Sequence, residues 1–73
     1  MSEQTRRDLS RYAGQWGLTL NWLCDTVAVL TGPITNQTFD LDAGADTRAI
    51  ARAIAEAGRT TERVYRDTDN YLD

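Results

Sequence analysis

The sequence contains no histidine and no lysine, and it has a single cysteine, Cys24. Histidine is the side chain that most often exchanges protons near neutral pH, and it is also the usual activator of a nucleophilic thiol. One cysteine cannot form an intramolecular disulfide, and an ordinary zinc site is unavailable without histidine. We therefore expect no catalytic residue, no metal and no cofactor, and we expect Cys24 to be a small buried apolar residue.

Long apolar runs are absent as well. No stretch approaches the roughly 20 apolar residues that a transmembrane helix needs, and no apolar signal segment follows Met1. A lone thiol is typical of a reducing compartment. The sequence therefore predicts a cytoplasmic protein with no membrane contact.

The chain is also short. Its 73 residues allow one domain, residues 1–73, and a chain of this size buries only about 60% of the surface that it exposes when unfolded. Small domains compensate with disulfides, metals or oligomerisation. With the first two excluded, oligomerisation is the expected source of additional stability.

The charged residues are unevenly distributed among types. All eight basic residues are arginine, and with eleven acidic residues the net charge is −3. This balance disfavours sequence-independent coating of DNA, which requires many phosphates to be neutralised. Arginine nevertheless suits bidentate contacts with carboxylate or phosphate, so a local basic surface stays possible.

The C-terminal third has the clearest periodicity. Small and apolar residues recur there at alternating spacings of three and four, which is typical of a helix seam: Thr47, Ile50, Ile54, Ala57, Thr61, Val64, Thr68 and Tyr71. Asp46 is placed to cap the first turn. Gly58 costs about 1 kcal/mol relative to alanine in a helix, but the seam continues in register beyond it. We predict one helix over residues 46–71.

The N-terminal half carries a second seam at the same spacings, formed by Leu9, Ala13, Trp16, Leu20, Leu23, Val27 and Leu30. It predicts a helix over about residues 5–31. Gly14, Gly17 and several β-branched residues oppose this interpretation. Short alternations compatible with strands compete with it, namely Leu18, Leu20 and Trp22, then Val27 with Val29, and Phe39 with Leu41.

Gly32 and Pro33 end the first predicted helix and open a loop over residues 32–45. Because the helical seam is longer than any strand alternation, we predict an all-α fold, an antiparallel helical hairpin. The alternative is a small α+β fold with a short hairpin packed on the C-terminal helix.

A helix over residues 5–31 would be apolar on two sides, because Leu18, Trp22 and Val29 lie opposite its seam. A face of this kind must be covered. A second copy of the chain would cover it, so we expect a homodimer that forms a four-helix bundle. These three residues are therefore predicted to bind a partner.

Arginines form a ridge along the second helix. Arg52, Arg59 and Arg66 recur every seven residues, and Arg63 lies one turn from Arg59. The ridge can be a solvated face that pairs with neighbouring acids, or a contact row for an acidic protein or for phosphates. We predict these four arginines to be partner-binding residues.

These features favour a small non-enzymatic interaction protein that binds a larger host protein and modulates it, with inhibition as the expected effect. Its size and architecture are those of small phage- or plasmid-encoded host modulators, which is an analogy only. A nucleic-acid-binding regulator that uses the arginine ridge is the alternative, and a scaffold or assembly subunit is a second alternative. No small-molecule substrate is expected.

Overall fold

A computed structural model describes the main chain of residues 1–72 and the side chains of residues 1–66. The elements follow the order α1 (Glu3–Gln15), β1 (Thr19–Trp22), β2 (Val27–Thr31), β3 (Asn36–Asp40), a 3₁₀ turn (Leu41–Ala43) and α2 (Thr47–Leu72). The side chains of Thr68 and Tyr71, predicted to continue the seam, lie outside the described residues.

The predicted all-α helical hairpin is wrong, because the structure is α+β. The segment 5–31, expected to be one helix, contains α1, β1 and β2, while the expected loop over residues 32–45 contains β3. The predicted four-helix bundle requires that hairpin and is therefore wrong as well. The alternative of a small sheet packed on the last helix is closer, although the sheet has three strands rather than two.

The end of α1 explains why the first seam does not continue as a helix. Gly17 adopts a φ of 74°, a left-handed conformation that glycine reaches without strain. The Leu18 N–H donates to the Ala13 carbonyl over 2.9 Å, and the Gly17 N–H donates to the Gly14 carbonyl over 3.0 Å. This pair of bonds is a Schellman motif, which ends the helix and turns the chain into β1.

The sheet is antiparallel, with strand order β1-β2-β3. Leu20 lies opposite Leu30, and Ala28 lies opposite Phe39. Leu20, Ala28 and Leu30 are buried, and Phe39 is half-buried. Since side chains alternate between faces, these positions form the inner face of the sheet, on which the two helices pack.

In α2 the middle of the predicted seam is buried, whereas its members Thr47 and Val64 are exposed. Ile50 and Ile54 are fully buried, and Thr61 is the last buried position among the described side chains. Asp46 Oδ1 accepts the Ala49 N–H over 2.7 Å, which confirms the predicted cap. The helix is continuous through Gly58.

The length of α2 determines the shape of the molecule. Its 26 residues span about 39 Å at 1.5 Å per residue, which is most of the 46 Å long dimension. All residues from Glu62 to Arg66 are exposed, so this part of α2 lies at the rim of the core. Among the described residues, no helix is both long enough and apolar enough to cross a membrane.

Candidate functional site

The three residues predicted to share a second apolar face do not share one. Leu18 is only 4% exposed and belongs to the core. Trp22 is half-buried against that core, and its Nε1 donates to the Arg6 carbonyl over 3.2 Å. Val29 pairs with Asn21 and lies on the outer face of the sheet. The predicted patch was derived from a helix that does not form in this segment.

The predicted arginines, in contrast, lie on one helix and are all exposed: Arg52, Arg59, Arg63 and Arg66. Arg66 forms an ion pair of 3.7 Å with Glu62, and within residues 1–66 it is the only arginine of the four with such a partner. Arg59, Arg63, Arg66 and Glu62 line a shallow pocket of about 190 Å³. Arg52 lies two turns earlier, outside this pocket.

A larger groove opens beside this pocket, with a volume of about 550 Å³. We call it the aromatic groove. Its walls come from the end of α1, the turn after β2 and the middle of α2, and its lining residues are Gln15, Trp16, Gly17, Pro33, Gly58, Thr61, Glu62 and Tyr65. Tyr65 is 56% exposed, so a large aromatic surface is open to a partner.

Trp16 reaches this position because Gly58 has no side chain. A Cβ built on Gly58 would lie 2.4 Å from Cε3 of Trp16, far inside van der Waals contact. The indole therefore packs directly on the backbone of α2 while it also lines the groove. The periodicity placed Trp16 on a helix seam and did not indicate this role. A glycine inside an otherwise uninterrupted seam was the available signal.

Glu62 lines both the aromatic groove and the arginine pocket, so the two form one continuous surface. We call this the α2 distal surface, and its principal residues are Trp16, Pro33, Tyr65, Arg59, Arg63 and Arg66. Tryptophan, tyrosine and arginine are the residue types that most often dominate binding energy at protein interfaces. The arginine half of this surface was predicted from the arginine spacing, whereas the aromatic half was not.

A second arginine cluster, on α1, was not predicted. Arg6, Arg7 and Arg11 border a cleft of about 430 Å³ next to Trp22. Two of the three are already engaged: Arg7 pairs with Glu3 at 2.8 Å, and Arg6 pairs with Asp25 at 3.5 Å while lying 6.0 Å from the centre of the Trp22 ring. The Arg6 contacts join Trp22 and the β1–β2 loop to α1, and the Arg7 pair lies within α1, so both arginines have a structural role.

Cys24 is exposed in that loop, so the prediction that it is buried is wrong. Its Sγ lies 3.5 Å from the Thr26 hydroxyl. Hydrogen bonding from Thr26 lowers the pKa of the Cys24 thiol, and the neighbouring Asp25 carboxylate opposes this by raising it. The pKa of the Cys24 thiol is lowered on balance, because the hydrogen bond outweighs the effect of Asp25.

Comparison with known protein families, curated proteins and solved structures finds no match to this chain. Within the residues that the structure describes, no three or more Cys, Asp or Glu side chains are grouped closely enough to hold a metal ion. The α2 distal surface combines an open aromatic groove with guanidinium groups, an arrangement suited to binding a protein.

Proposed function

We propose that this protein is a non-enzymatic interaction module of the cytoplasm, which binds a larger protein through the α2 distal surface and inhibits it. The observation that carries this proposal is the aromatic groove, in which Trp16, Pro33 and Tyr65 stand open beside exposed arginines. The absence of histidine and lysine supports a binding role over a catalytic one.

In this proposal the partner inserts an apolar or aromatic side chain into the groove. A side chain that buries about 200 Å² there contributes roughly 5 kcal/mol at about 25 cal/mol per Å², before the entropic cost of association is subtracted. Acidic groups of the partner then pair with Arg59 and Arg63, which have no ion pair among the described side chains. Arginine favours such pairs because its planar fork matches a carboxylate.

The proposal is tested by capture from a lysate of the cell that produces the protein, with tagged wild type and four variants compared by quantitative mass spectrometry. Tyr65→Ala removes the exposed wall of the groove, and Arg63→Glu reverses one charge beside it. Leu23→Ala is the matched apolar control because Leu23 is 64% exposed in a distant loop. Arg48→Glu is the matched charge control near the start of α2.

We expect one protein to be enriched by the wild type and by both controls, and lost with Tyr65→Ala and Arg63→Glu. Inhibition is then measured as loss of the captured protein's own activity on titration with wild type. Equal enrichment by all five forms would contradict the proposal, because the α2 distal surface would then make no contribution to capture.

A nucleic-acid regulator is the second candidate, favoured by one observation. Arg52 and Arg59 are exposed on the side of α2 away from the core, and within residues 1–66 neither forms an ion pair. Their intervening Glu56 weakens the attraction for phosphate. Binding to duplex DNA or RNA that falls steeply with salt, and that Arg52→Glu with Arg59→Glu abolishes, would favour this candidate. Capture lost on nuclease treatment would agree with it.

A further inference from the structure

The fold protects one outer edge of the sheet and leaves the other open. The Leu23 N–H donates to the Val27 carbonyl over 2.9 Å. Because hydrogen-bonded pairs alternate along an antiparallel ladder, the main-chain groups of Leu20 point away from β2, toward the outer edge of β1. There the Ser10 hydroxyl of α1 donates to the Leu20 carbonyl over 3.1 Å. Helix α1 thus covers this edge and opposes its pairing with another strand.

Strand β3 shows the same alternation of hydrogen-bonded residues. The Leu41 N–H donates to the Thr26 carbonyl over 2.8 Å, and the Gly32 N–H donates to the Thr35 carbonyl over 3.0 Å. These bonds bracket the β2–β3 ladder, so alternate residues of β3 bond to β2 and the intervening ones do not.

Asn36 and Thr38 are intervening residues of this kind, and their N–H and C=O groups point outward. Among the described residues, no group hydrogen-bonds to these four main-chain atoms. At Asp40 the carbonyl is already taken by the Ala45 N–H over 3.2 Å. The accessible edge is therefore the short segment 36–38, and an open edge of this type is a template for another strand.

The inner face of β3 is also less covered than that of β2. Gln37 is exposed, whereas Leu30 directly opposite it is fully buried. A groove of about 280 Å³ runs here between β3 and α2. Ile34, which is 50% exposed, forms part of its rim, and Ala53 and Ala57 of α2 form part of its wall.

We infer that the occupant of this edge is β3 of a second copy of the chain, paired antiparallel about a twofold axis beside Gln37. Asn36 then lies opposite Thr38 of the second copy, and the two residues exchange both main-chain bonds, which gives four bonds across the axis. On the outer face the side-chain amide of Asn36 lies opposite the Thr38 hydroxyl of the second copy. On the inner face the side-chain amides of the two Gln37 residues lie opposite each other.

The edge is self-complementary in charge as well as in hydrogen bonding. No like charges stand opposite each other, because the register places Asp40 opposite Ile34 of the second copy. The two three-stranded sheets then form one six-stranded sheet, and the groove between β3 and α2 of each copy lies beside the twofold axis. This groove shares no lining residue with the α2 distal surface, so the inference does not depend on the proposed function.

Sedimentation equilibrium and amide hydrogen exchange, both followed from tens to hundreds of micromolar protein, test this inference. We expect a monomer–dimer equilibrium. Hydrogen exchange of the main-chain N–H groups of Asn36 and Thr38 should slow as the protein concentration rises. The Gln37 amide is the internal control, because it is bonded to β2 at all concentrations. Thr38→Pro removes the outward main-chain N–H, a loss that an edge strand tolerates, together with the side-chain hydroxyl. Thr38→Val removes the same hydroxyl but keeps the N–H, so the pair isolates the main-chain bond.

We expect Thr38→Pro to weaken dimerisation about thirtyfold relative to Thr38→Val, because a twofold interface then loses two further net hydrogen bonds. If Thr38→Pro does not fold, Gln37→Glu replaces it: two carboxylates then oppose each other at the axis, and dimerisation should weaken most at low salt.

A wild type that stays monomeric at hundreds of micromolar would overturn the inference. So would a dimer in which the Asn36 and Thr38 amides exchange freely, or one that Tyr65→Ala dissociates and Thr38→Pro or Gln37→Glu does not. Loss of dimerisation leaves the Tyr65→Ala capture result unaffected, so failure here is distinguishable from failure of the proposed function.

Discussion

Gly58 and Trp16 lie in direct contact, with the indole of Trp16 occupying the space where a side chain on α2 would otherwise be. A Cβ on Gly58 would approach Cε3, Cδ2 and Cβ of Trp16 to between 2.4 and 2.8 Å. The contact joins the end of α1 to the middle of α2 and positions one wall of the aromatic groove. It also explains why a helix rich in alanine contains a glycine.

Gly58→Ala is therefore expected to destabilise the protein, although alanine is the better helix former by about 1 kcal/mol. The added methyl group must displace the indole, and overpacking of this kind typically costs about 1–3 kcal/mol. Urea denaturation followed by tryptophan fluorescence measures the change in the free energy of unfolding.

Gly14→Ala is the matched control for that substitution. Gly14 also lies in a helix, but a Cβ there meets no atom within 4 Å. We expect it to stabilise the protein by about 0.5–1 kcal/mol. A Gly58→Ala protein as stable as Gly14→Ala would show that Trp16 moves aside without loss.

Trp22→Phe is expected to lower the free energy of unfolding by about 1 kcal/mol through loss of one hydrogen bond. The indole N–H donates to the Arg6 carbonyl, which ties β1 to α1. Thermal unfolding monitored by circular dichroism reports the change. Tyr12→Phe is the comparison: Tyr12 packs on the core with no hydroxyl bond among the described residues, and its substitution should have a smaller effect. Equal losses would contradict the assignment to the Trp22 hydrogen bond.

Asp46→Ala is expected to cost about 1 kcal/mol, the usual value for an N-cap. Asp46 accepts the Ala49 N–H in the first turn of α2, so the substitution leaves that donor unsatisfied. Asp42→Ala, in the preceding 3₁₀ turn, removes the same charge without removing a cap. If both variants unfold at the same urea concentration, the effect is one of charge and the capping interpretation fails.

Cys24 should be alkylated faster at neutral pH than an unperturbed exposed thiol, because a lowered pKa increases the thiolate fraction at any pH below it. Thr26→Val removes the hydroxyl that stabilises the thiolate. We expect the midpoint of the iodoacetamide rate profile to move to higher pH in this variant. Thr19→Val should leave the midpoint unchanged, and an unchanged midpoint for Thr26→Val would contradict the role of that hydrogen bond.

Helix α2 could be predicted closely because its determinants are local. The cap at Asp46 and the burial of Ile50, Ile54 and Thr61 all follow from spacing within one element. Its predicted bounds, 46–71, differ from the observed Thr47–Leu72 by one residue at each end. The predicted arginines of this helix are exposed for the same reason, since they lie away from the buried seam.

The N-terminal half could not be predicted in this way, because seven apolar residues at helical spacing are also compatible with a helix followed by two strands. Leu9 and Ala13 are buried in α1, and Leu20 and Leu30 are buried in the sheet. Leu23, expected on the same seam, is exposed in the β1–β2 loop. Gly17 was a local signal for the helix end, and its value as a C-terminal cap was missed.

The sequence by itself thus determined α2, its cap and its exposed arginines, because neighbours along one helix decide these features. Only the tertiary structure decided that the segment between residues 19 and 40 contains three strands, since a strand gains its hydrogen bonds from other strands rather than from adjacent residues. The aromatic groove likewise combines Trp16, Pro33 and Tyr65, which lie far apart in the chain. Folding brings them together by packing the end of α1 and the turn after β2 against α2.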